Sequence, residues 1–248
     1  MNIHILTNKN ILGVYAGENA AESIKKAIKS NGTANIILAT GSSQFETLNY
    51  LIADKEIEWS KVRMFHLDEY IGINQYHKAS FRKYLIERFL NKVSPLMETI
   101  LINGENDALE ECKRISNLIM KYSIDVALVG IGENGHLAFN DPPADFETEK
   151  PFLIVNLNNE CKQQQVNEGW FNELNEVPNQ AISMSIKQIM KSKKIICSVP
   201  DKRKAIAVEH CIKNQVSNLF PASILQLHPS CDIYLDYDSA SNLFNLKH

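Results

Sequence analysis

Residues Asp125-Val126-Ala127-Leu128-Val129-Gly130-Ile131-Gly132-Glu133-Asn134-Gly135-His136 decide the architecture, because a short, continuous apolar run ends in three closely spaced glycines and a histidine. Such a run reads as a strand buried on both faces, as in a parallel sheet covered by helices. Glycines at 130, 132 and 135 let the chain turn sharply and approach a ligand, so that His136 arrives where a parallel sheet opens its binding crevice. Asp141 follows five residues later. A histidine and a carboxylate on one loop can move a proton near neutral pH.

Outward from this stretch, apolar runs alternate with amphipathic ones. Strands are predicted at Asn35 to Ala39, Val62 to Leu67, Thr99 to Ile102, Asp125 to Val129, Phe152 to Val155, Lys194 to Val199 and Asp232 to Leu235. Three stripes at helical spacing lie between them: Ala20, Ile24, Ala27 and Ile28; Phe81, Tyr84, Leu85 and Phe89; and Leu109, Cys112, Ile115 and Ile119. All three are expected to face the core. The alternation predicts an α/β fold, a doubly wound, mostly parallel sheet flanked by helices in the Rossmann-like manner. Residues 1–248 are read as a single domain, because no repeat or Pro/Gly/Ser-rich linker cuts them. The polar segment at about 156–180 reads either as a mobile flap over a site or as an ordinary surface excursion.

The chain has 248 residues, 44% of them hydrophobic, enough for a sizeable core. A net charge of −3 with mixed signs gives no footprint for nucleic acid or an anionic membrane and favours a small-molecule partner. No apolar window approaches the ~18 residues of a spanning helix. Five widely spaced cysteines without a C-x-x-C pair indicate neither a disulfide framework nor a zinc site, so the expected location is the reducing cytoplasm.

Three further segments carry chemistry. Thr40-Gly41-Ser42-Ser43 stands between a strand and the helix-like run Gln44 to Ile52. It reads as an anion cradle at a helix start or as plain N-capping by Ser42 or Ser43. His66-Leu67-Asp68-Glu69 places adjacent acids just past a strand, with His66 and Asp68 on one side. Asp68 is either a partly desolvated base or a turn former, with Glu69 solvated in the second case. Lys202-Arg203-Lys204 lies where another strand passes into a helix, and one lysine turned inward would complete a phosphate pocket.

Taken together, these segments resemble the glucosamine-6-phosphate deaminase family, which shares its fold with 6-phosphogluconolactonases. Four motifs carry the resemblance: Leu38-Ala39-Thr40-Gly41-Ser42-Ser43, Leu67-Asp68-Glu69-Tyr70-Ile71-Gly72, Gly130 to Pro142, and Phe220-Pro221-Ala222-Ser223 with Leu227-His228-Pro229. The resemblance implies conversion of glucosamine 6-phosphate and water into fructose 6-phosphate and ammonia, without cofactor or metal. In it His136 opens the sugar ring, oriented by Asn134 and Asp141, and Asp68 moves a proton between neighbouring carbons. Thr40, Gly41, Ser42, Ser43 and Lys204 hold the phosphate, and His66 and Glu69 stand behind the base.

This sequence departs from the family pattern at several positions. Asn134 stands for the familiar Asp, removing a charge near His136. Asp141 stands for a Glu, so its bond to His136 is expected to need a shifted backbone or a water. Gly169 stands where a flap arginine helps hold phosphate, and Lys162 is the expected substitute. An arginine-rich activator segment is replaced by Phe146-Glu147-Thr148-Glu149-Lys150-Pro151, so activation by an acetylated amino sugar phosphate is not expected. The competing readings are a 6-phosphogluconolactonase, an isomerase of another amino sugar phosphate, and a non-catalytic sugar-phosphate sensor. The sequence leaves a homo-oligomer open. The deaminase reading requires Asp68 and His136 to face one cavity.

Overall fold

The computed structural model describes residues 1–244. In chain order its strands and α-helices are β1 (Asn2–Leu6), α1 (Lys9–Asn31), β2 (Ala34–Leu38), α2 (Phe45–Ala53), β3 (Val62–His66), β4 (Asp68–Tyr70), α3 (Phe81–Arg88), β5 (Glu98–Ile100), α4 (Ala108–Ile119), β6 (Val126–Val129), β7 (Phe152–Asn156), α5 (Asn159–Asn167), β8 (Gln180–Met184), α6 (Ile186–Met190), β9 (Lys194–Val199), α7 (Ala205–Lys213) and β10 (Cys231–Asp236). Seven strands form one sheet in the order β1-β10-β9-β6-β2-β3-β5. Every pairing in it is parallel. The chain runs outward from β2 to β3 and β5, then returns to β6 on the other flank of β2. The ends of β2 and β6 therefore border the crevice where such sheets bind ligands.

Helices cover both faces, as the apolar patterning of the strands demands. One core joins α1, α2 and α3 to the sheet through residues such as Ile24, Leu48, Leu85 and Ile36. The other holds Ile115, Ile119, Ile189 and Val208 against Ile37, Ala127 and Ile195. The α4 stripe is shorter than the sequence predicts. Leu109 is 71% exposed, and Glu111 turns inward instead, bonding Arg114 and the Asn103 amide.

A second, antiparallel sheet, β4-β8-β7, is the main departure from expectation. Phe152 to Val155 belongs to it, not to the parallel sheet, and β1, β4 and β8 escaped the sequence reading. At Leu67 the chain passes from one sheet to the other: its N–H bonds Leu38 and its carbonyl accepts from Met184. The segment between β7 and β8 folds as α5 plus a short 3-10 turn, docked through Leu157, Cys161, Phe171 and Val177 onto Tyr70, Phe81 and Phe139. No helix among the described residues is long and apolar enough to cross a membrane.

Helices α1 and α2 cross closely at Gly13, where a Cβ would lie 2.1 Å from the Glu46 Cβ and 2.9 Å from its Cα. Gly13→Ala must push the helices apart. A loss of about 1–3 kcal/mol is expected, readable as a lower urea midpoint in a denaturation titration.

Candidate active site

The carboxyl ends of the parallel strands open onto a cavity of about 670 Å³, which both Asp68 and His136 line, with Thr40, Gly41, Ser42, Ser43 and Lys204. Asp68 and His136 thus share one cavity, as the deaminase reading requires. Lys162 is not part of it: its ammonium bonds Asn179. The basic groups that do line the cavity are Lys9, Lys202, Arg203 and Lys204.

The histidine is set by a network of short bonds. Asn134 Oδ1 accepts the His136 amide at 3.0 Å, while its Nδ2 donates to Asp141 Oδ1 at 3.0 Å. The same carboxylate oxygen lies 3.1 Å from His136 Nδ1, so this contact is direct and needs no bridging water. Asp141 Oδ2 accepts the Asn158 amide. Burial would raise the Asp141 carboxyl, but the bond and charge of His136 and the amide donors outweigh it and hold it below its ordinary value. A carboxylate at Nδ1 fixes the tautomer and leaves Nε2 as the free lone pair. The ring lies over Gly132, where a Cβ would come within 2.3 Å of Nε2, so this position admits only glycine. Gly135, at φ +83, makes the turn, and Phe220 and Ala222 back it: Phe220 packs on it and the Ala222 amide bonds its carbonyl. The fourth sequence motif thus buttresses the histidine loop.

Asp68 opens β4 opposite Ser183 and is buried. Among the described residues none donates a hydrogen bond to its carboxyl. Burial, aided by the neighbouring Glu69 charge, pushes its pKa up to about 8. Glu69 has a different fate from the solvated one considered above, being fully buried. It accepts from the amides of Tyr70, Phe81 and Arg82 and from the Ser80 hydroxyl, with the Arg82 guanidinium 3.7 Å away. Burial still carries it up to about 7, against the pull of those donors. Glu69 is the better-solvated acid of the pair and Asp68 the one that keeps its proton. His66 does not bond Asp68. Its Nδ1 accepts the Ile102 amide at 3.4 Å, its Nε2 has no partner among the described residues, and burial, then Arg82, lowers its pKa to about 3, so it stays neutral.

One strand spaces the two centres. Ser183 Oγ accepts the Phe139 amide at 3.0 Å and the Met184 carbonyl accepts Asn140 Nδ2 at 2.8 Å. The histidine loop and Asp68 therefore rest on adjacent residues of β8.

At the other end of the cavity neither Ser42 nor Ser43 caps a helix. Gln44 reaches from this turn to the Val129 carbonyl at 3.0 Å, tying the β2 and β6 loops together. Tyr84 donates to the Gly41 carbonyl at 2.9 Å. Lys204, which lines the same cavity, is buried, and burial, its largest influence, lowers its affinity for a proton. Its nearest carboxylate is Glu168, at 3.9 Å. Sequence reasoning missed Glu168, Arg203 and Gln164, whose side-chain carbonyl accepts the Glu133 amide. Only the neighbourhood of Arg203 to Lys204 hinted at any of them.

His136, Asp141 and Cys161 bring their ligand atoms within 4.8 Å of one another. Burial first, then Asp141, raises the Cys161 thiol well above its ordinary value, so without a cation beside it the thiol is neutral.

The glycine-turn histidine and the cradle beside it are features of a sugar-phosphate enzyme family, and the comparisons agree. Residues 8–232 match the family model of glucosamine-6-phosphate isomerases and 6-phosphogluconolactonases, and the chain belongs to that family. It is 38% identical over 228 residues to a glucosamine-6-phosphate deaminase of Thermoanaerobacter pseudethanolicus, covering 90% of this chain and 88% of that one. It is 35% identical over 244 residues to one of Listeria monocytogenes serotype 4b, covering 97% and 100%. A solved structure described as a monomeric glucosamine-6-phosphate deaminase superposes with a TM-score of 0.89 at 30% identity, covering 98% of this chain and all of that one. The described 6-phosphogluconolactonase of Leishmania guyanensis shares the fold, at a TM-score of 0.79 and 15% identity over 98% of this chain and 99% of its own.

Asp68 also leaves a thermodynamic signature. Its folded pKa of about 8 lies above the ordinary 3.8, so the folded state holds an extra proton between these values. That contribution is complete below pH 4 and is lost as pH rises through 8. Wild-type urea midpoints should fall across this window relative to Asp68→Asn, and parallel profiles would contradict the shift.

Proposed function

We propose that this chain deaminates glucosamine 6-phosphate, yielding fructose 6-phosphate and ammonia, in the cytoplasm. The observation that carries the reading is the opening of Asp68, His136 and a phosphate-sized polar turn onto one cavity. The deaminase relatives support the substrate, and five unpaired cysteines support the compartment.

In this reading Thr40, Gly41, Ser42, Ser43 and Lys204 hold the phosphate, with Arg203 and Lys202 taking the role first considered for Lys162. Remote phosphate binding orients the reacting carbons. His136 Nε2 takes the proton of the anomeric hydroxyl and delivers it to the ring oxygen, which opens the ring. Asp141 steadies the imidazolium formed in between, and Asn134 holds both partners.

Asp68 then acts as the base. A buried carboxyl that keeps its proton becomes a carboxylate when a cation arrives, and the substrate's ammonium is such a cation. The carboxylate removes the proton from the carbon bearing nitrogen and returns it to the neighbouring carbon, while one ammonium proton passes to the former anomeric oxygen, so that the enolamine becomes an iminium. Water adds to that iminium and ammonia leaves. Residues 156–180 act as the flap that shields these steps, with α5 pinned by the Glu133–Gln164 bond and by Tyr70 donating to Gln165.

Asp68→Asn is expected to lower ammonia release from glucosamine 6-phosphate by at least about 10²-fold while ligand binding persists. A sensor would show no turnover to lose, and a lactonase would hydrolyse 6-phosphogluconolactone instead. Gly132→Ala, which drives a methyl into the His136 ring, is expected to cost about 10²-fold in kcat/KM in the same assay.

A further inference from the structure

The cavity's phosphate end contains an acid that the proposed reaction does not use. Glu168 lies at the end of α5 with a side chain only 7% exposed, 3.9 Å from the equally buried Lys204 ammonium. Gln164 Nε2 donates to its Oε1 at 2.8 Å and Trp170 Nε1 to its Oε2 at 3.2 Å. Every direct bond to this carboxylate thus comes from its own segment, and only its charge reaches across the cavity.

We propose that Glu168 tunes phosphate affinity: its carboxylate is the resident counter-charge of Lys204 and must yield that place to a dianionic phosphate. The inference rests on the reading that the substrate carries phosphate. A carboxylate and a phosphate dianion cannot share one buried ammonium without strong repulsion, since like charges a few ångströms apart are poorly screened where water is excluded. A sugar without phosphate brings no charge to displace Glu168 and leaves the pair with Lys204 in place, so the carboxylate sets how tightly phosphate is held.

The backbone permits the exchange. Gly169 follows immediately at φ +81, a left-handed conformation that glycine adopts without strain, and the place its Cβ would occupy is open. Trp170 sits against Tyr84, with ring centroids 6.4 Å apart, and Tyr84 bonds the Gly41 carbonyl of the cradle. Departure of Glu168 is therefore felt by an indole and by the turn that receives the phosphate.

The test titrates the purified full chain with inorganic phosphate and follows tryptophan emission. Phosphate should change the emission of the wild type and leave Trp170→Phe, which retains Trp59, silent. Glu168→Gln keeps the shape and removes the charge, and should bind phosphate at least fivefold more tightly. Glu168→Asp, which keeps the charge, should stay near wild type. Equal or weaker phosphate binding by Glu168→Gln would overturn the proposal. Ammonia release from glucosamine 6-phosphate separates the two readings. Release with equal phosphate affinities removes the role of Glu168 and leaves the reaction standing, whereas tighter phosphate binding without release does the reverse.

Discussion

Two neighbouring carboxyl groups cannot both lie out of water as anions unless something solvates at least one of them, and the structure around Asp68 and Glu69 follows from that constraint. Glu69 collects three amides, a hydroxyl and a guanidinium, which organises the start of α3 and fixes the 71–80 loop beside it. Asp68 receives none of these donors and has no choice but to hold its proton or to meet a cation from outside. The unequal treatment of adjacent residues makes one acid a structural tie and leaves the other chemically available.

Most of the parallel sheet was legible in the sequence, because strands buried on both faces advertise themselves as apolar runs. The glycine-rich turn was equally readable, since Gly132 is imposed by the ring stacked over it. The second sheet was not. Its strands are short, β4 is the acidic Asp68-Glu69-Tyr70, and its pairing with β8 joins positions more than a hundred residues apart. Local pattern carries no trace of such a partner. The burial of Glu69 was hidden for the same reason: three of its donors sit eleven to thirteen residues on, at the cap and first turn of α3, whose approach only the folded chain reveals.

The candidate site shows a similar division. Asp68, His136 and the Thr40–Ser43 turn follow strand ends, and strand ends can be located from apolar runs. Lys162 misled because it shares a helix with residues that face the cavity, while its own position on that helix turns it toward Asn179. Asp141 was expected to reach His136 through a shifted backbone or a water, and the contact is direct. Side-chain reach alone is a poor guide where the backbone is free to move by an ångström.

The seating of Asp68 and the His136 loop on Ser183 and Met184 has a mechanical meaning. Loops at sheet edges fluctuate independently, and a gap defined by two loops would widen and narrow with them. Here the gap is referred to one strand, so a displacement of β8 carries Asp68 and the histidine loop together. Alignment can then survive breathing motions that admit a sugar and release its product.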